Sequence, residues 1–280
     1  MNQVLTPEQI AVKAPAVVEL THADNLSKHY THIPTMTLME DMAKLGWEVV
    51  DVKQGKSRDL SKRMFKKHLV IFRNPNLKIS REGSDAVFPQ ILLMNSHDGK
   101  SSFQFRAGLF RLICSNGLVI TTQDFAQARL RHSGYSFEHL KSVVMEMVEK
   151  IPDTIKTLNS LTEVELTEEQ KMEFALKAIG IRFEKGNAEV LPQELLVPLR
   201  EQDKGNDLWS VFNVVQEKLV RGGFKYTLRE GRRTNRTARR ISNFIQDIRI
   251  NEELFDLAKS YAKDRKSTRL NSSHLGISYA

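Results

Sequence analysis

The spacing of apolar residues changes character about halfway along the chain. Up to residue 120 the apolar positions come in short runs or alternate, as strands require. Trp47 to Lys53 is rich in valine, and Leu69 to Phe72, at the centre of Met64 to Arg73, is a continuous apolar run of buried-strand type. Phe88 to His97 is a third strand segment. A fourth, Ser101 to Ile120, alternates: Phe103, Phe105, Ala107, Leu109 and Arg111 share one face, Gln104, Arg106 and Phe110 the other. Asp98-Gly99 suits a turn with positive φ, so the third and fourth segments are predicted to pair as an antiparallel hairpin. Ahead of the strands, Thr37-Leu38-Met39-Glu40 reads as a capping box, with Leu38, Met39, Met42 and Leu45 on one helical side and Gly46 as the stop.

From Ser136 the period becomes helical. Phe137, Leu140, Val144, Met147, Ile151, Ile155 and Leu158 recur every three or four residues, and Pro152 is expected to split the helix. A second helix is predicted from the capping box at Thr167 to Gly180, and a third from Asp207 to Gly222-Gly223, burying Trp209, Phe212 and Leu219. Ile241, Phe244, Ile245 and Ile248 suggest a fourth, with Leu254, Leu257, Ala258 and Tyr261 beyond a cap at Asn251. The fold class expected is α+β: an antiparallel sheet with a capping helix, followed by a mainly helical half. Residues 1–34, weakly periodic and interrupted by Pro15, are expected to form an N-terminal arm. The sheet region is then 35–135 and the helical region 136–263. His22, His29 and His32 in the arm match no zinc spacing, so no metal is expected. Residues 264–280 look like one reading frame of a sequencing-library adapter, so this tail is expected to be non-native and to lie outside the fold.

Composition narrows the class. The single cysteine, Cys114, excludes an internal disulfide framework and suits a reducing cytoplasm. No run approaches the ~20 apolar residues of a membrane helix, so no membrane association is expected. The formal net charge is +8, of which Asp264, Arg265, Lys266 and Arg269 in the tail supply +2. Charge is concentrated rather than spread. The segment 218–240 holds Lys218, Arg221, Lys225, Arg229, Arg232, Arg233, Arg236, Arg239 and Arg240 against Glu230 alone. A second block holds Lys53, Lys56, Arg58, Lys62, Arg63, Lys66 and Lys67 against Asp59. Arginine forks bind phosphate oxygens in pairs, and Phe224 and Tyr226 lie within the first block as candidate stacking surfaces. The nucleic-acid-binding residues expected are Arg229, Arg232, Arg233, Arg236, Arg239 and Arg240, with Lys62, Arg63, Lys66 and Lys67. The alternative is a solvated charged face that meets acidic segments such as Glu163 to Glu169.

Asn95-Ser96-His97-Asp98-Gly99, Arg111-Leu112-Ile113-Cys114-Ser115-Asn116-Gly117 and Arg131-His132 resemble the signature of the phage/plasmid-like protein family, a domain of unknown function on mobile elements. Trp209 to Glu217, ending in Gly222-Gly223, is a weaker match, and the resemblance covers most of 35–263. It implies a mobile-element setting and carries no catalytic motif. The family-motif residues are Arg111, Cys114, Asn116, Gly117, His132, Trp209 and Asn213. Cys114 with His132 invites a thiol-nucleophile reading, but no third residue orients the pair, and a small apolar role for Cys114 is favoured. Asn116-Gly117 reads as a turn. Arg111, among apolar strand residues, needs a carboxylate, a carbonyl or a phosphate, and an internal partner is favoured. Trp209, Asn213, Gln216 and Glu217 share a helical face that either anchors the helix to the neighbouring domain or stacks on a base; the structural reading is preferred.

The order of helix, strands and long helix is loosely similar to phage single-strand annealing proteins. The function expected is non-enzymatic DNA binding in mobile-element replication, recombination or maintenance, with single-stranded DNA favoured. No cofactor is expected, and a homo-oligomer is compatible. The competing class is a protein-binding module, such as an inhibitor of host defence.

Overall fold

The structure is a computed structural model. It describes residues 3–24, 26, 31–59, 61–77, 87–99, 101, 103–111, 128–130, 135–183, 187–228 and 234–274; at 87, 107–111, 128–130, 202, 234 and 264–274 it describes the backbone alone. Its architecture is α+β, as expected. The chain divides into two compact units, Met1–Ile151 and Pro152–Ala280.

The first unit is built on an antiparallel sheet in the order β1-β2-β3-β4-β5: Glu48–Gln54, His68–Arg73, Val87–Asn95, Phe103–Arg111 and Ala128–Leu130. The expected hairpin between β3 and β4 is present, and Gly99 has φ +69°. Pro89 sits at the start of β3, where only β4 pairs, so its missing N–H breaks no ladder on the β2 side. Period-two alternation sorts the side chains. Val70 and Phe72 of β2, Ile91 and Leu93 of β3, and Phe103 and Phe105 of β4 project to one face. There they meet Leu38 and Met42 of α2 (Thr35–Lys44) and Leu140, Val144 and Met147 of α3 (Phe137–Glu149). Leu69, Ile71, Leu92 and Met94, on the opposite face, are buried too, which explains the unbroken apolar run.

Three expectations are corrected here. The first 34 residues are not an arm: α1 (Pro7–Lys13) and a 3-10 turn (Pro15–Val17) place Ile10, Ala14 and Val17 in the core. A capping box at Thr6 and Gln9 starts α1, a signal masked by the weak periodicity around it. The helix α2 begins at Thr35, not Thr37, because the Thr35 hydroxyl is taken by the buried His68 and Asn95. The division between units falls at Pro152, so α3, expected in the helical half, packs on the sheet.

In the second unit α4 (Ile151–Thr162), α5 (Glu168–Arg182), α6 (Leu208–Arg221) and α7 (Phe244–His274) accompany a small antiparallel sheet, β6-β7-β8 (Ala188–Glu189, Lys225–Leu228, Thr234–Thr237). The capping box at Thr167 and the start of α6 at Asp207 are as expected. Buried from Leu208 to Val220 with only Lys218 half-exposed, α6 is the central helix. Phe212 meets Trp209 on one side and Phe255 of α7 on the other. Gly180 does not stop α5, which runs on to Arg182. Asn251 is no cap: it lies inside α7, buried, because its amide donates to Asp247 O and its carbonyl accepts from Gln216. The helical backbone of α7 also continues to His274, past the break expected at residue 264.

Candidate nucleic-acid interface

The basic block of the second unit folds into a hairpin. Thr and Tyr favour extended backbone, and β7 pairs with β8 in the register Lys225↔Thr237, Tyr226↔Arg236, Thr227↔Asn235. Thr227 donates its hydroxyl to Asn235 across the pair at 2.9 Å. The root of the hairpin is fixed by Gly222 and Gly223, at φ +78° and +88°; a Cβ on Gly222 would lie 2.3 Å from Ala238 O. Gly223 N donates to Ala238 O, and Ala238 N to Phe224 O, both at 2.8 Å.

Arg182, at the end of α5, pins this root. Its guanidinium donates to Leu219 O on one flank of the hairpin and to Arg239 O, at 2.6 Å, on the other. It lies over the rings of Phe183 and Phe224, 5.6 and 5.2 Å from their centroids, and burial lowers its pKa. The ring of Phe183 also packs 4.9 Å from that of Tyr226. These aromatics therefore serve the fold. Phe224 is buried, and the stacking platform expected of it is not available; Tyr226 keeps only part of its ring exposed.

The expected basic residues separate into distinct groups. Arg236 on β8, and Arg239 and Arg240 just after it, are exposed, as is Lys225, whose partner on β8 is Thr237, and none makes an ion pair among the described residues. Arg229, Arg232 and Arg233 fall in the link between β7 and β8, outside the described residues. Arg221 is turned inward by Glu217, at 2.7 Å. In the first unit Lys62, Arg63, Lys66 and Lys67 occupy the connection from β1 to β2, anchored by Gly55 N to Lys67 O and by Gln54 to Arg63 O. There Lys62 and Arg63 are exposed, Lys66 and Lys67 are partly so, and Lys62 pairs with Asp59 at 3.2 Å.

Trp209 and Asn213 do share a face of α6, but inside the fold. Trp209 is stacked on Phe212, and the Asn213 amide donates to Trp209 O at 2.7 Å, so neither is placed to meet a base. Glu217 on the same helix receives both forks of Arg200, at 2.8 and 2.7 Å, and Arg200 also reaches Asp203. Arg111 ends β4; Cys114, Asn116, Gly117 and His132 lie outside the described residues.

Sequence reasoning missed the β7–β8 hairpin and Arg182. Two short runs rich in Thr and Tyr around Glu230-Gly231 are the signal for the hairpin. It also missed a file of four histidines, His22, His32, His97 and His68, whose members come from distant parts of the chain. Among the described residues no three His, Cys, Asp or Glu are grouped to hold a metal ion, and no described helix is long and apolar enough to cross a membrane.

Fold and site define an α+β protein in two units, each carrying an exposed basic loop or ribbon. The chain belongs to the family described as "Domain of unknown function (DUF932)", whose model matches residues 23–255; this is the family expected from the Arg111–Gly117 motif. It is 30% identical over 261 residues to UPF0380 protein YfjQ of Escherichia coli (strain K12), and 29% identical over 258 residues to UPF0380 protein YafZ of the same organism. Each alignment covers 91% of this chain and 91% of the relative. No solved structure matches the chain significantly.

Proposed function

We propose that this protein is a non-enzymatic nucleic-acid-binding protein, with single-stranded DNA as the favoured ligand, acting in the replication, recombination or maintenance of a mobile element. The observation that carries this reading is the solvent-facing group Arg236, Arg239, Arg240 and Lys225, which makes no ion pair among the described residues. Elsewhere on the chain buried acids such as Glu217 consume the nearby arginines. Planar guanidinium groups in water on a pinned ribbon suit paired contacts to phosphate. The exposed loop with Lys62 and Arg63 is a second basic element that supports this reading, with Lys62 meeting Asp59 as well. The sequence resemblance to phage/plasmid-like proteins supports the mobile-element setting.

The test is binding of the full chain to a labelled single strand across a salt series. Neutralising about five phosphates gives a log–log slope of roughly −3.5, from ~0.7 counterions released per contact. Combining Arg232→Gln, Arg233→Gln and Arg236→Gln is expected to flatten the slope and weaken binding to all sequences alike, with the circular dichroism spectrum unchanged. Absence of binding even at low salt overturns the proposal.

A protein-binding role is the second reading. It is favoured by Leu191, Val197 and Leu199, which stand exposed near a pocket of about 320 Å³ lined in part by Leu196, Pro198, Val211 and Val214.

A further inference from the structure

His22, His32, His97 and His68 stand ring against ring, with successive centroids 5.5, 4.9 and 5.0 Å apart. Two belong to the N-terminal segment; His68 opens β2 and His97 follows β3, both wholly buried. The hydrogen bonds fix the protons. Nδ1 of His68 lies 2.9 Å from Lys66 O and so must donate. Nε2 then accepts from the Thr35 hydroxyl at 2.8 Å, and Thr35 accepts from the Asn95 amide at 2.9 Å. That chain suits a neutral ring. A second proton, on Nε2, would compete with the hydroxyl hydrogen that now occupies the contact.

The same rings hold the N-terminal segment in place. Nε2 of His97 donates to Ala16 O at 2.9 Å, and the His97 carbonyl accepts from Ala23 N at 3.0 Å. The Leu26 side chain lies so close over Gly99 that an added Cβ would be 2.6 Å from it. The motif Asn95 to Gly99 is thus a seat for the N-terminal segment at Ala16, Ala23 and Leu26. Two acids act on the file: Glu19 on the N-terminal segment, near His32, and Asp98, near His68.

We propose that this file of histidines is an acid-sensitive latch: neutral, it holds the N-terminal segment on the end of the sheet; protonated, it releases it. Imidazolium ions about 5 Å apart repel one another strongly where they are buried, as at His68 and His97. Burial lowers the pKa of His68 from 6.5 to about 4, and burial, with His22 nearby, also lowers that of His32. A histidine with a depressed folded pKa supports the closed form fully above its ordinary value. That support drains away as pH falls from 6.5 towards about 4. Each proton taken up on release makes opening about tenfold easier per pH unit.

Hydrogen exchange of the full chain tests this, followed by mass spectrometry from about pH 7.5 to about pH 4.5 and corrected for intrinsic rates. Peptides containing Leu5, Ala16 and Ala23 are expected to lose protection by roughly tenfold or more per pH unit below the histidine range, while α5 and α6 keep theirs. His97→Gln can still donate to Ala16 O but cannot be protonated, and it is expected to blunt the pH response. His32→Gln serves the same purpose if that variant does not fold. Protection of the N-terminal peptides that stays flat with pH overturns the latch. So does loss of protection in both units at the same pH, or selective loss that both variants leave unchanged.

Discussion

Glu217 is 2% exposed at its side chain and holds two arginines, Arg200 in a paired fork and Arg221 one turn further along α6. A buried carboxylate is tolerable only with such partners, and removing it deprives the largely buried Arg200 of its paired fork. Glu217→Ala is expected to cost about 3 kcal/mol, read as a lower urea midpoint at unchanged slope. Arg221 is 33% exposed, so Arg221→Ala is expected to cost under ~1 kcal/mol. The helical spacing of Trp209, Asn213, Gln216 and Glu217 was legible in the sequence, and so was the preference for a structural role over contact with a base. What they anchor was not. Arg200 lies 17 positions away and Asn251 35 away, and a pairing between distant polar residues leaves no periodic trace.

Among the elements, the root of the β7–β8 hairpin is the most constrained. Both glycines have positive φ, yet only one is crowded: a Cβ on Gly222 would press on backbone atoms of Ala238 and Arg239, whereas nothing lies within 4 Å of one on Gly223. Gly223→Ala is expected to cost about 1–2 kcal/mol from backbone strain alone. Gly222→Ala is expected to cost more, and to increase hydrogen exchange in β7 and β8 because its backbone neighbours must move. Equal costs would mean that the close approach to Ala238 is immaterial. Elements with strong periodicity or a clear cap were legible: α3 from Ser136, α5 from Thr167, α6 from Asp207, and the β3–β4 hairpin from Asp98-Gly99. Two of the misreadings share one cause, a local signal outweighed by a distant partner. The capping box at Thr37 lost to the contacts of Thr35 with His68 and Asn95, and Asn251 turned inward to Gln216.

At the scale of the whole molecule, titratable chemistry is unevenly shared between the two units. Of the eight histidines only His274 lies beyond Ile151, while each unit holds one buried tryptophan, Trp47 or Trp209. Single-tryptophan variants therefore report on one unit at a time. With Trp209→Phe, the urea midpoint seen by Trp47 fluorescence is expected to fall as pH drops from about 7 to about 5, the range in which histidine charges. With Trp47→Phe, the midpoint seen by Trp209 is expected to hold. Midpoints that fall together would place the acid sensitivity outside the histidine file.

The position of the N-terminal segment has another consequence. One outermost strand of the larger sheet is β1, and an open outermost strand offers its N–H and C=O groups to any extended chain, including a second copy of itself. Leu5 N already donates to Val49 O on that rim, Ala16 N to the Gln54 side chain, and Lys13 pairs with Asp51. The register slip between Val49 and Asp51 bends the rim further from the flatness that stacking needs. The first residues of the chain thus act as a guard against edge-to-edge aggregation, and a molecule shorn of them would carry an adhesive border.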